Sequence, residues 1–197
     1  MEGADYGVLA PAWAGTAASA LASDAAFVQG MLDAEAAWGK VQADAGLCSI
    51  EDAQAVREVA SVDRYDLALL ASKTPDGANA LIPLLGMMRE LLTHDGAAKT
   101  ASTALHRGAT SQDIVDTALM LRLKTVLQRL AERTRTLLDA LDVMASTQGA
   151  IPLMAQTRMQ AALPYRVADK LGSWSRPLEA HHARLAGLGA RLPVQLG

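Results

Sequence analysis

Cysteine and aromatic residues are scarce in this chain of 197 residues, and each shortage excludes certain kinds of site or core. Cys48 is the single cysteine, which excludes an internal disulfide framework and a cysteine-based metal site. One unpaired thiol favours a reducing, intracellular compartment. Aromatic residues make up 4% of the chain and hydrophobic residues 51%. A core must therefore be filled by Ala, Leu, Val and Met, which favours helices over sheets and predicts an all-α fold.

Strong charge and long apolar runs are also missing. The net charge of -3 and the pI near 5.8 give no reason to expect nucleic acid or an anionic membrane as a partner. No run approaches the roughly 20 apolar residues that span a bilayer. The stretch Val8 to Ala22 is apolar, but no Lys or Arg precedes Lys40, so the basic flank of a secretion signal is missing. These observations predict a soluble, cytoplasmic protein.

Three kinds of chemical motif are absent as well. No His, Asp or Glu residues show metal-ligand spacing, and neither a glycine-rich phosphate loop nor a G-x-S-x-G elbow is present. We therefore expect neither a metal nor a cofactor. His181 and His182 lie together on a predicted helix, and a structural or solvated role is expected for them.

Capping residues and turn residues divide the first part of the chain into short helices. Thr74 to Gly77 is interpreted as a turn, and the polar stretch from Gly96 to Ser102 as a linker. The helices are expected at Asp24 to Ala45 with a stop at Gly46, Ser49 to about Ala60, Asp63 to Ser72, and Ala80 to Thr93 with Pro83 in the first turn.

Two later segments carry apolar residues at alternating steps of three and four, a period near 3.5 that is typical of helices coiling against neighbours. The first helix is predicted from Ser111 to about Ser146, and the second starts near Pro164 and contains Pro177. Two such helices need further helices to cover their apolar seams, from later sequence or from other subunits. An ordinary four-helix bundle fits the periodicity equally well. The seams comprise Met120, Leu123, Leu127, Leu130, Thr134, Leu137, Leu141 and Met144 in the first helix, and Val167, Leu171, Trp174, Leu178, His181, Leu185, Leu188 and Leu192 in the second.

The most informative stretch is HRGATSQD, residues 106–113, directly before the first long helix. Thr110 or Ser111 is expected to cap that helix, so that free backbone N–H groups and the positive end of the helix dipole face this loop. With the imidazole of His106 and the guanidinium of Arg107, these groups would form a receptor for a carboxylate. The same residues also fit a plain helix cap beside a surface histidine, and chemistry alone leaves both interpretations open.

Extended to HRGATSQDIVDTA, this stretch strongly resembles the first signature of the fumarase/aspartase superfamily, which reads H-x-G-x-T-S-x-D. The segments Phe27 to Leu47 and Gly77 to Leu91 also resemble parts of these enzymes, so the resemblance covers the chain from about Asp24 to its end. It implies a helical lyase fold with an N-terminal helical domain at residues 1–110. Residues 111–197 would then be the start of the central bundle, and the chain would be truncated at its C-terminus.

The superfamily's second signature is matched by TRMQAALP, residues 157–164. Adenylosuccinate and argininosuccinate lyases carry T-H-x-Q here, with a histidine that takes part in proton transfer. Arg158 occupies that place, and a guanidinium is a poor general acid or base but a good carboxylate clamp. The bacterial 3-carboxy-cis,cis-muconate cycloisomerases also lack this histidine, and the resemblance is closest to them.

This resemblance implies an enzyme that converts 3-carboxy-cis,cis-muconate to a carboxymuconolactone in protocatechuate breakdown. The substrate is a small tricarboxylate, and the family forms homotetramers whose active sites are shared between subunits. A third signature carries the family's catalytic serine, and no G-S-S-x-M-P-x-K-x-N motif occurs in this sequence. We therefore expect residues 1–197 alone to be inactive. The implied site residues are His106, Thr110 and Ser111 for catalysis, and Arg107, Gln112, Thr157, Arg158 and Gln160 for substrate binding.

Two alternatives remain open from the sequence. One is another lyase of the same fold, such as an adenylosuccinate lyase-like enzyme with a different proton donor. The other is a catalytically inactive helical module that assembles through the two apolar seams.

Overall fold

The computed structural model of the chain describes Ala12 and residues 15–197. The described chain is helical apart from one two-stranded antiparallel sheet, which confirms the all-α prediction. Part of the apolar stretch that begins at Val8 lies outside the described residues, and its end forms the short helix α1. None of the described helices combines the length and apolarity that a bilayer crossing requires. The helices are α1 Ala17–Leu21, α2 Asp24–Asp44, α3 Ile50–Glu58, α4 Leu67–Gly77, α5 Leu81–His94, α6 Lys99–Ala104, α7 Ser111–Gln148 and α8 Val167–Gly189, with a 3-10 turn at Val62–Arg64 and strands β1 Pro152–Gln156 and β2 Ala161–Arg166.

The chain divides into two compact units. The first unit comprises Met1–Leu123 together with Pro193–Gly197, and the second comprises Lys124–Leu192. Helix α7 passes through the boundary at Leu123 without a break. The domain boundary expected after residue 110 stays a prediction.

Local signals set the ends of the early helices as predicted. The Ser23 hydroxyl accepts a hydrogen bond from the Ala26 N–H at the start of α2, and the Ser49 hydroxyl accepts one from the Asp52 N–H at the start of α3. Gly46 has φ +70° after α2, and the Leu47 N–H donates to the Gln42 carbonyl at 2.8 Å. This is the left-handed ending that glycine permits without strain.

The predicted turn at Thr74 to Gly77 is wrong, because these residues form the last turn of α4. Asp66 caps the helix by accepting from the N–H groups of Ala68 and Leu69, so α4 starts later than the predicted Asp63. Pro75 lies near the end of the helix, where its missing N–H costs a single hydrogen bond. Ala78, at φ +59°, ends the helix instead.

The polar stretch from Gly96 to Ser102 is not simply a linker. Its second half begins α6, whose Ala101 and Ala104 side chains are buried. The small alanine side chains enter the core although the stretch is polar overall. Composition alone therefore predicted a linker where the second half is helical.

The core of the first unit is built by α2, α3, α5, α6 and the start of α7. Gly30 of α2 lies so close to α7 that an added Cβ would meet the Ala118 carbonyl oxygen at 3.2 Å. This close approach of α2 to the start of α7 positions the loop between α6 and α7. The core residues include Val28, Met31, Leu32, Val56, Leu81, Leu84, Leu85, Met88, Leu92, Leu105, Ile114 and Ala118.

The second unit contains most of α7, the β-hairpin and α8. The two predicted long helices are confirmed, with 38 residues in α7 and 23 in α8. The seam of α7 is only partly as predicted, because Leu138 is buried while its neighbour Leu137 is 47% exposed. On α8 it is His182, rather than the seam residue His181, whose Nδ1 lies 3.1 Å from a carbonyl oxygen of α7, that of Ala131.

Candidate active site

Helix α2 supplies a buried carboxylate to the first-signature loop. The Oε1 atom of Glu35 lies 2.6 Å from Nδ1 of His106. The Glu35 side chain is fully buried, and the His106 side chain is 15% exposed. An ionised carboxylate oxygen only accepts hydrogen bonds, so a proton on Nδ1 would satisfy this contact and leave Nε2 for another partner.

Three further hydrogen bonds hold the loop to α2 and to Leu47, three residues beyond the end of that helix. The Trp38 indole N–H donates to the Arg107 carbonyl at 2.9 Å, and the Arg107 guanidinium donates to the Leu47 carbonyl at 2.7 Å. The Gln42 amide donates to the Ala104 carbonyl at 3.1 Å. These contacts fix the backbone on both sides of His106, so the loop is anchored within the first unit.

The backbone of this loop has two left-handed residues. His106 has φ +60° and Gly108 has φ +74°. This conformation is free for glycine but uncommon for other residues, so the hydrogen bonds around His106 must outweigh a local cost. The left-handed histidine marks the loop as shaped by its surroundings rather than by local preference.

The N-terminal end of α7 closes the loop. Thr110 precedes the first helical residue, Ser111, and its backbone N–H donates to the Asp113 carboxylate at 2.9 Å. The second carboxylate oxygen of the buried Asp113 accepts from the Gly197 N–H at 3.1 Å. Asp113 therefore ties the helix start both to the loop and to the last residue, as the acidic partner of a capping box does.

The polar groups predicted at this end of α7 have different surroundings. Thr110 and Gln112 are exposed, Ser111 is half-buried, and the Gln112 amide donates to Asp116 at 2.6 Å. The first unit thus brings together His106, Arg107, Thr110, Ser111 and Gln112, which is five of the eight predicted site residues.

The other three predicted residues lie in the second unit, in the turn of the β-hairpin. The Thr157 N–H donates to the Gln160 carbonyl at 2.9 Å, and its hydroxyl donates to the same oxygen at 3.2 Å. Arg158 and Met159 form the tip, where both side chains are exposed. The turn therefore presents a guanidinium that no described residue pairs.

Sequence reasoning missed Glu35, Trp38 and Gln42, which hold the loop. Their signal was present, because Glu35 and Gln42 are seven residues apart and so share a face of α2 with the apolar core residues. A charged residue on a core-facing position is rare unless it has a partner. That partner, 71 residues further along the chain, could not be identified from spacing.

Cys48 lies beside Leu47, whose carbonyl accepts from Arg107. Burial, followed by the nearby Asp52 carboxylate, raises the pKa of the Cys48 thiol, and this disfavours the thiolate that a nucleophile requires. Among residues 15–197, no three side chains of His, Cys, Asp or Glu come together in a way that could hold a metal ion.

The fold and these motifs agree with comparisons to known proteins. A sequence profile of the lyase family matches residues 9–196, and the chain belongs to this family of the fumarase/aspartase superfamily. The chain is 37% identical to a nitrosuccinate lyase of Streptomyces davaonensis, over 98% of the chain and 40% of that relative. It is 33% identical to a 3-carboxy-cis,cis-muconate cycloisomerase of Pseudomonas putida, over 85% of the chain and 39% of that relative.

A solved structure gives the same result for the fold. The 3-carboxy-cis,cis-muconate lactonizing enzyme from Pseudomonas putida superposes with a TM-score of 0.84 at 33% identity, covering 91% of this chain and 40% of that one. The chain therefore spans about 40% of the length of the relatives it matches.

Proposed function

We propose that this chain contributes to an enzyme that closes 3-carboxy-cis,cis-muconate to a carboxymuconolactone. In this isomerisation a carboxylate oxygen of the substrate forms a C–O bond to a conjugated alkene carbon. A proton is added to the carbon beside another carboxylate, so no atom is lost. Negative charge accumulates on that carboxylate as an enolate-like species before the proton arrives, and fixed hydrogen-bond donors stabilise such charge.

The observation that carries the proposal is the anchored loop at the start of α7. It places the imidazole of His106, the guanidinium of Arg107 and the hydroxyls of Thr110 and Ser111 within a span of six residues at a helix N-terminus. A helix N-terminus favours anionic ligands. We assign the catalytic role to His106, Thr110 and Ser111, and substrate binding to Arg107 and Gln112.

The hairpin turn supports a polycarboxylate substrate. We assign Arg158 as a carboxylate clamp, with Thr157 and Gln160 shaping its turn. An exposed guanidinium without a described partner is free to form a bidentate contact with a carboxylate, and it keeps its charge at physiological pH. A histidine at this position would instead suit proton transfer.

A second candidate is elimination of nitrite from nitrosuccinate, which would leave a four-carbon unsaturated dicarboxylate. The 37% identity to a nitrosuccinate lyase over nearly the whole chain favours it. The chemistry demands the same features, because a proton leaves the carbon beside a carboxylate as the C–N bond breaks. The loop around His106 fits both reactions, because both develop negative charge on a substrate carboxylate.

We further propose that the enzyme is a cytoplasmic homotetramer of protocatechuate breakdown whose active sites combine residues of several subunits. Exposed apolar side chains on α7 support an assembly, since Leu130, Leu137 and Met144 are 48%, 47% and 43% exposed. Light scattering on the purified protein tests this, and a monomer at micromolar concentration would contradict it.

The activity is tested with three substrates in parallel. The chain, and any longer form of the protein, is incubated with 3-carboxy-cis,cis-muconate, nitrosuccinate or adenylosuccinate. With the first substrate we expect loss of the conjugated-diene absorbance and formation of a lactone by NMR in a longer form, and no turnover by residues 1–197 alone. Nitrite release from nitrosuccinate without lactone formation would replace the proposal by the second candidate. Turnover of adenylosuccinate alone would contradict both.

A further inference from the structure

Burial of the Glu35 carboxylate on the core-facing side of α2 costs free energy of folding. The Glu35 side chain is fully buried on the face of α2 that also carries Met31 and Leu32, and its second oxygen, Oε2, has no hydrogen-bond partner among the described residues. An unpaired oxygen on a buried carboxylate costs free energy, and an apolar residue of similar size would pack there without that cost. Stability of the core therefore does not explain Glu35.

The contact with His106 does offer an explanation. The 2.6 Å contact joins Glu35 Oε1 to Nδ1, the ring nitrogen nearer the backbone. Free neutral imidazole exchanges its proton between the two ring nitrogens, but a carboxylate at Nδ1 favours the form with the proton there. Nε2 is then free to take a proton when the ring is neutral, or to donate to a carboxylate when the ring is charged.

The backbone adds a second constraint on the same ring. His106 is left-handed at φ +60°, and the carbonyls of Ala104 and Arg107 on either side are held by Gln42 and Trp38. Helix α2 therefore holds both the backbone around His106 and the ring nitrogen Nδ1. A residue that served only to anchor the loop would not need a negative charge.

We propose that Glu35 is a positioning residue that holds His106 with its proton on Nδ1 and leaves Nε2 for the substrate. For the reaction itself, this inference rests on the proposed function. The protonation of Nδ1 is a property of the chain alone and is tested separately. Glu35→Gln separates positioning from anchoring. Its amide can still hydrogen-bond to Nδ1 and anchor the loop, but because it can act as acceptor or as donor it does not fix the proton on Nδ1.

The first experiment is NMR on the chain labelled with 15N-histidine, at about pH 9, above the ordinary pKa of a histidine side chain. Long-range 1H–15N spectra identify which ring nitrogen bears the proton, and loss of a signal set in His106→Asn assigns it among the four histidines. We expect Nδ1 of His106 to be protonated in the wild type. In Glu35→Gln we expect that preference to be lost, with part or all of the population carrying the proton on Nε2.

Asp33→Asn is the matched control, because Asp33 lies on the exposed side of α2, bonds Gln29 at 2.7 Å and makes the same charge change. It should leave the His106 signals unchanged. A wild-type ring with the proton on Nε2 overturns the inference, and this result does not depend on whether Glu35→Gln folds. An unchanged His106 spectrum in a folded Glu35→Gln chain overturns it as well.

The second experiment measures kinetics in whichever form of the protein is active. Glu35→Gln should lower kcat by about tenfold to 100-fold, because it weakens but does not remove an acid–base group that contributes about 10²–10⁴-fold, with a smaller change in KM. Glu35→Asp should recover part of the loss, since it restores the charge. An unchanged kcat in Glu35→Gln would overturn the inference. If carboxymuconate is not a substrate but the NMR result holds, the proposed function fails and the assignment of Glu35 stands.

Discussion

The two signature segments are held in opposite ways. The loop at residues 104–113 is bonded on both sides by α2, has buried neighbours and contains a left-handed histidine. The hairpin at residues 152–166 is held by its own strand pairing, and nearly every residue in it is exposed or half-buried. The loop is therefore formed by contacts within one chain. The hairpin takes its shape from its own strand pairing, and we expect its function to depend on residues outside the hairpin.

The largest expected difference between the two segments is in stability. Leu105, next to His106, is 3% exposed, and Leu163 on β2 is 74% exposed. Leu105→Ala should lower the free energy of unfolding by about 2–5 kcal/mol, through lost burial and the cavity left behind. Leu163→Ala should change it by less than about 0.5 kcal/mol. Urea denaturation followed by circular dichroism measures both, and equal losses would show that the hairpin is as tightly packed as the loop.

The next largest effect concerns the exposed Arg158. Arg158→Met should reduce kcat/KM in an active form by about tenfold to 150-fold, equivalent to about 1.5–3 kcal/mol for a charge-assisted contact. The melting temperature should hardly change, because the side chain is exposed at the hairpin tip. Arg133→Met on the exposed side of α7 is the matched control and should keep wild-type activity. Wild-type turnover by the Arg158 variant would remove this residue from the site.

A smaller effect is expected from one bond of the loop. Trp38→Phe removes the N–H that donates to the Arg107 carbonyl while keeping an aromatic ring, and should cost about 0.5–1.5 kcal/mol of stability. Trp174→Phe on α8 is the control, since Trp174 is half exposed and the new ring can still lie beside Lys170. Similar melting temperatures for the two variants would mean that the indole bond contributes nothing to holding the loop.

The smallest effect is confined to alkaline pH. Burial raises the pKa of Tyr65 to about 12, and its hydroxyl donates to the Val59 carbonyl at 2.6 Å. A raised folded-state pKa means that the contribution is complete below the unfolded-state value of about 10. It is lost as pH rises toward 12, because the unfolded chain releases the proton first. Tyr65→Phe should flatten the decline of stability in this window.

Tyr165 provides the matching substitution on the hairpin. Tyr165→Phe on β2 should leave the alkaline decline as steep as in the wild type. Urea midpoints measured at pH 9, 10 and 11 compare the two variants. If stability declines equally with pH in the wild type and in Tyr65→Phe, burial of the Tyr65 hydroxyl in the first unit does not contribute to that decline.

Local chemistry explains most of what could be predicted. The caps at Ser23 and Ser49, the glycine ending after α2 and the helical state of α7 depend on neighbours within a few residues, and the structure confirms each. The errors at Thr74 to Gly77 and at Gly96 to Ser102 have one cause. In both places a helix includes residues whose local preference is for a turn or loop.

The hairpin was missed for a related reason. Its strands are short, and although exposed and half-buried residues alternate along β1, they do not along β2, so the sequence shows no strand period over the whole hairpin. Antiparallel pairing of Leu153 with Tyr165 supplies the backbone hydrogen bonds that helices would otherwise provide. The motif predicted site residues in this turn, and that prediction stays a prediction; the motif did not predict that Arg158 is exposed at the tip.

The sequence by itself determined the helical class, the long helix α7 and the two motif segments, because these depend on composition, period and short-range spacing. Only the tertiary structure decided that Glu35, Trp38 and Gln42 of α2 hold the loop at His106. Hydrogen bonds between residues separated by 62 to 71 positions form only once α2, α6 and α7 pack together. Nothing in the local pattern of either segment contains that information, since the energy of such a pair depends on a distance that folding alone sets.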